Sequence, residues 1–277
     1  MNVEAPDLVV VKIGGDVVAE SAICAALCAD IAELCRRGHK TVIVHGGGPQ
    51  ATALAKRLGL VSTIIAGRRV TDRETLDVMK MTVAGIVNVD LVAALVGAGV
   101  RALGLCGASG SLVQAVKRPP RRVAGGGDDP IDFGHVGDIV SIDVDLLQDL
   151  LALSLVPVIA CLGIDAKGNL YNINADIVAT RVAAHLGAPR LFLFTGVCGV
   201  LRDVRDPTSR IERLSVNDAR RAIADGSVSG GMLPKLEETF AALDAGVGEV
   251  VVLGGAQGRP LLSAIDAPGT VGTTIVP

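Results

Sequence analysis

Two lysines stand where lysine is out of character. Lys12 follows an apolar run and precedes Gly14 and Gly15, in "LVVVKIGG". An ammonium buried without a partner is expensive. Such a lysine either reaches water along its stem or serves an anion, and the glycines after it let a ligand approach the backbone closely. Lys235, in "SGGMLPKLEE", falls in the opening turns of a predicted helix, the end that favours anions rather than cations. Between them, "VIVHGGGPQ" sets Gly46, Gly47 and Gly48 directly before a helix. That placement suits either a tight turn or an anion site built from free N–H groups and the helix dipole. It matches neither the GxxxxGK[ST] nor the GxGxxG pattern. "GRRVTD" supplies Arg68 and Arg69, and arginine grips carboxylates by two hydrogen bonds.

A third cluster lies in "GNLYNINADIVATRVAAHLG". Asn174 is a good N-cap for the helix that follows, yet Asn172 and Asp176 crowd the same helix mouth. One cap needs one polar side chain. The four histidines (His39, His45, His135, His185) are scattered, and no Ser-His-Asp order or dense His/Cys/Asp cluster stands out. Two lysines, Gly-rich donors and one organising carboxylate fit phosphoryl transfer, where a protein mainly positions groups and neutralises charge. No metal-ligand set is expected from the protein itself.

The elements that must hold these residues alternate. "LVVVKIGG", "KTVIVHGGG", "VRALGLCG", "LVPVIACLG", "RLFLFTGV" and "EVVVLGG" read as buried strands, each running into glycine. Helical patterns fall between them, with Gly38 closing the first and Pro49 suited to the first turn of the second. "TDRE" at 71–74 reads as a capping box opening a further helix, expected to break near Gly85 and resume at Asn88. "SLVQAVKR" reads as a short extended segment, "DIVSI" as a strand, and residues 118–130, "RPPRRVAGGGDDP", as a loop that packs poorly. "TVGTTIV" closes the sheet. Strand–helix alternation implies right-handed crossovers. The expected fold is α/β, a three-layer αβα sandwich with a mainly parallel central sheet shared by two lobes, 1–167 and 168–277. Ligands of such sheets bind beyond the carboxyl ends of the strands, where the lysines, glycines and polar residues collect.

Composition agrees. Half of the 277 residues are hydrophobic and only 2% aromatic, so Val, Leu, Ile and Ala build the core. That suits a parallel sheet covered on both faces. A net charge of −3 without a basic block argues against nucleic acid. No apolar run reads as a membrane span and the N-terminus lacks a signal pattern. The expected location is cytoplasmic. The six cysteines form no CxxC pair and read as reduced core residues.

In order along nearly the whole chain, "VVKIGG", "VIVHGGGPQ", "GRRVTD", "GHVG", "YNINAD", "GVCGVL" and "GGMLPK" resemble the amino acid kinase family. "RVTD" with "NINAD" resembles the branch that acts on N-acetyl-L-glutamate rather than on carbamate, uridylate or aspartate. The resemblance implies ATP-dependent phosphorylation of the γ-carboxylate of N-acetyl-L-glutamate, in arginine biosynthesis. It implies Lys12 and Lys235 as catalytic lysines on the moving phosphoryl group, and Asp176 as the carboxylate that holds both. Gly47 and Gly48 would donate to the substrate's reacting end, and Arg69 and Asn172 would hold its α-carboxylate, beside Asn174. Gly14 and Gly15 would lie near the phosphates. Gly196, Val197, Gly199, Val200 and Leu201, with Ser227, Val228, Ser229 and Met232, would line the ATP site. Mg²⁺ would travel on the nucleotide phosphates. The chain departs from the family pattern at Gly196, where an Asp is usual, and at Ala108 and Ser109. Two other readings stay open: a kinase of a carrier-protein-linked aminoadipate or glutamate, with Arg68, Arg121 and Arg122 as a basic mouth, and a non-catalytic sensor, for which Gly196 speaks. Arginine-inhibited relatives carry an N-terminal helix that interlaces dimers. "MNVEAPD" is too short for one and Pro6 would disrupt it, so a homodimer insensitive to arginine is expected. A regulator such as a PII-type protein is compatible with the family, and no segment encodes one legibly.

Overall fold

The computed structural model describes residues 8–123, 127, 129–203, 205–225, 232–254 and 258–277. The stretch 1–7, on which the expectation about an interlacing helix rests, lies outside them. In chain order the elements are β1 (Leu8–Ile13), α1 (Gly15–Ala19), α2 (Ser21–Arg36), β2 (Lys40–His45), α3 (Gly48–Arg57), β3 (Ile64–Ile65), β4 (Arg68–Arg69) and α4 (Arg73–Met79). A π-helical segment (Lys80–Val87) leads into α5 (Asn88–Gly97), followed by β5 (Ala102–Cys106), β6 (Val113–Lys117), β7 (Gly137–Ile142), α6 (Val144–Ala152), β8 (Val156–Ala160), β9 (Leu162–Ile164) and β10 (Leu170–Asn172). The remainder is α7 (Ala175–His185), β11 (Arg190–Thr195), β12 (Arg213–Ser215), α8 (Val216–Ala224), α9 (Met232–Asp244), β13 (Glu249–Gly254), α10 (Pro260–Asp266) and β14 (Thr273–Val276).

Eight strands form the central sheet in the order β12-β14-β13-β11-β1-β2-β8-β5. All neighbours are parallel except β13 and β14. Parallel strands end on one edge, so the glycines after β1, β2 and β11 meet there. Alternation along a strand then decides which face each side chain serves. In β1, Val10 packs into the core under α7, while Val9, Val11 and Ile13 pack into the core under α2, α5 and α10. Lys12 shares the parity of Val10 and points to the α7 face. His45, paired with Ile13 across the β1–β2 ladder, points to the opposite one.

"DIVSI" is a strand, as the sequence reading has it, and belongs to a separate four-stranded sheet, β10-β9-β6-β7. That reading is corrected in several other places. The helix after "RVTD" does not break near Gly85. It runs unbroken over Arg73–Gly97, and the mismatch expected at Gly85 is absorbed by the π segment, whose widened turn keeps the backbone bonded. That helix is 25 residues long and apolar enough to span a bilayer by length and composition, which the sequence reading overlooked. It packs on α2, α3 and β5, as a core helix does. Its cap is Asp72, whose carboxylate accepts from the Thr75 amide at 2.7 Å, rather than Thr71. The loop after β6 is not wholly exposed: Arg118 is buried, and its Nε donates to Asp138 at 2.7 Å. Cys198 is exposed, unlike a core cysteine.

Candidate active site

Lys12 is 8% exposed, and its Nζ lies 2.8 Å from Asp176 Oδ1. A nearly buried ammonium is thus paired, as its cost in an apolar strand demands. The carboxylate is placed by the helix it starts. Asn174 caps α7, its Oδ1 accepting from the Asp176 amide at 3.0 Å, and Asp176 gains from the positive end of the dipole. Lys235, near the start of α9, falls within electrostatic reach of the same pair. Burial lowers its pKa, the Lys12 charge lowers it further, and Asp16 and Asp176 oppose both.

Lys12 and Asn174 border a cleft of about 480 Å³, with Asp176 just behind its wall. Its walls include Lys12, Gly14, Gly15, Gly47, Gly48, Arg69, Asn172 and Asn174. Gly47 stands as N-cap of α3, with φ 176°. That value is ordinary extended backbone, so space rather than conformation makes the demand. A Cβ there would come 3.1 Å from Val83 Cγ2 and 3.4 Å from Val87 Cγ2. Arg69 donates to Ser62 Oγ at 2.9 Å, to the Gly48 carbonyl at 3.1 Å and to Thr52 Oγ1 at 2.7 Å. Burial lowers its pKa without threatening its charge. Two of its five N–H groups have no acceptor among the described residues.

Asn172 is fixed by two other motifs. Its amide donates to the His135 carbonyl at 2.8 Å, and its Nδ2 donates to Thr71 Oγ1 at 3.1 Å. Thr71 is fully buried and its carbonyl accepts from the His135 amide at 2.6 Å. Gly134 makes this crossing feasible. Its φ is +72°, and any Cβ would collide with the Thr71 carbonyl. "RVTD", "GHVG" and "YNIN" are therefore three segments of one wall.

The nucleotide-site residues expected from the sequence do not all gather in this cleft. Gly196 and Val197 are exposed just after β11. A Cβ on Gly196 would lie 2.7 Å from Asp16 Oδ2, so Asp16 occupies the space a side chain would use. Gly199 has φ +136°, and a Cβ there would lie 2.7 Å from Thr273 Oγ1. The buried Val200 amide donates to that same oxygen at 2.8 Å. Leu201 lines a second cavity of about 430 Å³ with Arg202, Ile211, Arg213, Leu214 and Asp218. Ser227, Val228 and Ser229 lie outside the described residues, and Met232 begins α9.

Sequence reasoning missed Asp16, Arg118 and Glu238. Asp16 directly follows the Gly14–Gly15 pair, in the first turn of α1, where an acidic residue attracts no notice. Arg118 lines the cleft, but the Pro119–Pro120 pair beside it reads only as a loop. Glu238 lies one turn beyond Lys235. Burial raises its pKa, as does the charge of Asp176, while Arg118 and Arg68 lower it.

A paired lysine, a second lysine within reach and the Gly47 amide, which has no acceptor among the described residues, make a centre for handling transferable anionic groups at one sheet edge. The description "Amino acid kinase family" matches residues 7–254, and the chain belongs to that family. The chain is 54% identical to an acetylglutamate kinase from Sorangium cellulosum, over 97% of this chain and 94% of that one. It is 49% identical to an acetylglutamate kinase from Anaeromyxobacter dehalogenans, over 96% and 98%. Among solved structures, N-acetylglutamate synthase from Neisseria gonorrhoeae, complexed with coenzyme A and N-acetyl-glutamate, aligns with a TM-score of 0.82 at 27% identity. The match covers 98% of this chain, which spans 59% of the synthase.

Proposed function

We infer that this chain transfers the γ-phosphoryl group of ATP to the γ-carboxylate of N-acetyl-L-glutamate, a step of arginine biosynthesis. A carboxylate oxygen attacks the γ-phosphorus, the bond to the β-phosphate oxygen breaks, and ADP leaves beside N-acetyl-L-glutamyl 5-phosphate. The observation that carries this reading is the Lys12–Asp176 pair at the edge of a cleft that also holds Gly47, Gly48, Arg69 and Asn172. Acetylglutamate kinases related over nearly the whole chain support the same substrate.

In this reading Lys12 and Lys235 neutralise charge on the phosphoryl oxygens as it moves. Asp176 keeps the two ammonium groups together against their repulsion. Gly47 and Gly48 donate to the reacting carboxylate. Arg69 and Asn172 hold the α-carboxylate, with Asn174 behind them. Gly14, Gly15 and the stretch from Gly196 to Leu201 serve the nucleotide. Among the described residues no group of three or more His, Cys, Asp or Glu side chains could hold a metal ion. Mg²⁺ carried on phosphate and water oxygens would supply further charge neutralisation. Residues 1–167 form the substrate lobe and 168–277 the nucleotide lobe. Four strands of the central sheet come from each. The enzyme acts in the cytoplasm as a homodimer.

Trapping with hydroxylamine tests the reaction. Hydroxamate that forms only when ATP, Mg²⁺ and N-acetyl-L-glutamate are all present is the expected result. ATP-independent colour, or none, would overturn it.

A further inference from the structure

His45 ends a central strand and is fully buried, on the face of the sheet turned away from the cleft. It does not line that cleft, and the phosphoryl-transfer scheme leaves it unused. Its surroundings are nevertheless built with care. Asn88 Nδ2 lies 2.9 Å from the Val158 carbonyl and 2.9 Å from His45 Nε2. His45 Nδ1 lies 2.9 Å from the Gly46 carbonyl. Room for Asn88 comes from Gly104 in β5, where any Cβ would collide with Asn88 Oδ1. The π segment ends just before Asn88 and also supplies Val83 and Val87, which pack on Gly47.

The partners fix the tautomer. A backbone carbonyl only accepts, so the atom of Asn88 facing Val158 is its amide nitrogen. That nitrogen has two hydrogens and two neighbours. It gives one to Val158 and the other to His45 Nε2, which must then be bare. The ring's own hydrogen therefore sits on Nδ1 and points at the Gly46 carbonyl. Burial agrees, lowering the pKa of His45 to about 4 and keeping the ring neutral.

The Gly46 carbonyl belongs to the peptide unit that carries the Gly47 N–H. A trans peptide sends these two groups in opposite directions. The other side of Gly46 is tied as well, its amide donating to the Ile13 carbonyl at 3.0 Å. Glycine lacks the steric preferences that would otherwise hold this plane. Among the described residues the Gly47 amide has no acceptor, and Gly47 lines the cleft.

We propose that His45, held by Asn88, is a positioning residue: its Nδ1–H clamps the Gly46–Gly47 peptide so that the Gly47 amide faces the reacting carboxylate. This rests on the kinase reading for what the amide meets, but not for the clamp itself. His45 acts through the backbone and touches neither substrate.

Two measurements decide it. ¹⁵N NMR of histidine-labelled protein reads the tautomer directly. A proton on Nδ1 with bare Nε2 is expected, and an Nε2–H ring would overturn the clamp whether or not the protein proves to be a kinase. Kinetics then compare His45→Leu, which removes the donor, with His45→Asn, whose amide can reach the Gly46 carbonyl. His45→Leu should lower kcat about 10- to 100-fold, with the KM for ATP held within about twofold. His45→Asn should recover most of that loss. A folded His45→Leu with parental kcat, or an Asn variant no better than Leu, would overturn the proposal. A parent protein that makes no acyl phosphate would overturn the kinase reading instead, and the NMR result would still judge the clamp.

Discussion

At the scale of single residues, few charges carry the chemistry. Lys12 is held by one carboxylate at 2.8 Å. Asp176→Asn keeps the shape of that partner and removes its charge, so the ammonium groups of Lys12 and Lys235 would drift apart. The expected outcome is a fall in kcat of about 10²-fold or more, with α7 and the melting temperature little changed. Loss of thermal stability alone would return Asp176 to a helix-start role. Lys235 makes a prediction about pH. Burial and Lys12 lower its pKa, and only its protonated form neutralises phosphate. kcat/KM should therefore decline, as pH rises, below the ordinary lysine range, and Lys235→Arg should move that decline to higher pH. Arg69 is bound to Ser62, Gly48 and Thr52, a fork that lysine cannot reproduce. Arg69→Lys should raise the KM for N-acetyl-L-glutamate about tenfold, some 1.4 kcal/mol, and leave the KM for ATP nearly unchanged. The sequence made these residues visible because each breaks a local rule. Lysine in an apolar strand and three polar residues at one helix mouth are anomalies that propensity does not explain. Asp16 broke no rule, since an acidic residue in a first helical turn is ordinary, and Glu238 looked like any helix-surface carboxylate.

At the scale of elements, strands and helix starts were legible from short-range pattern, and contacts between distant segments were not. The periodicity of β1, β2, β8, β11 and β13 gives their burial directly. Nothing local says that β6 and β7 leave the central sheet, because that depends on which partners they find. The helix Arg73–Gly97 illustrates the same limit. Gly85 lowers local helix propensity, yet tertiary packing carries the helix through it in π register. Caps lie between the two cases: Asn174 was readable, while Asp72 displaced Thr71 because Thr71 is buried and engaged with Asn172. Asn174→Ala should lower stability by about 1 kcal/mol through loss of the cap. It should also reduce kcat, since the same side chain sets Asp176. Denaturant melts beside steady-state rates would separate the two effects. If stability fell and kcat stayed at the parental level, the cap would have no part in placing the carboxylate.

At the scale of the whole molecule, the sheet arranges two halves so that β1 and β11 meet at its centre. The end of β1 and the turn after β11 carry Lys12 and Gly196 to one edge. The long helix leaves Met81, Ile86, Val89 and Val96 about half exposed or more, recurring along one side of a core helix. Such a stripe suits a two-fold interface, where each copy covers the other. Light scattering should give twice the chain mass, and Val89→Glu with Val96→Glu should shift it toward monomer. A monomeric parent would remove the dimer. The proposed reaction bonds a carboxylate oxygen of N-acetyl-L-glutamate to the γ-phosphorus of ATP in this cleft. The most direct measurement uses substrate labelled with ¹⁸O in its γ-carboxylate and follows ³¹P NMR during turnover with ATP. An acyl phosphate resonance that depends on the amino-acid substrate and carries the isotope shift of a bridging ¹⁸O is the expected result. ATP consumed with no such resonance, or an acyl phosphate resonance without the isotope shift, would contradict it.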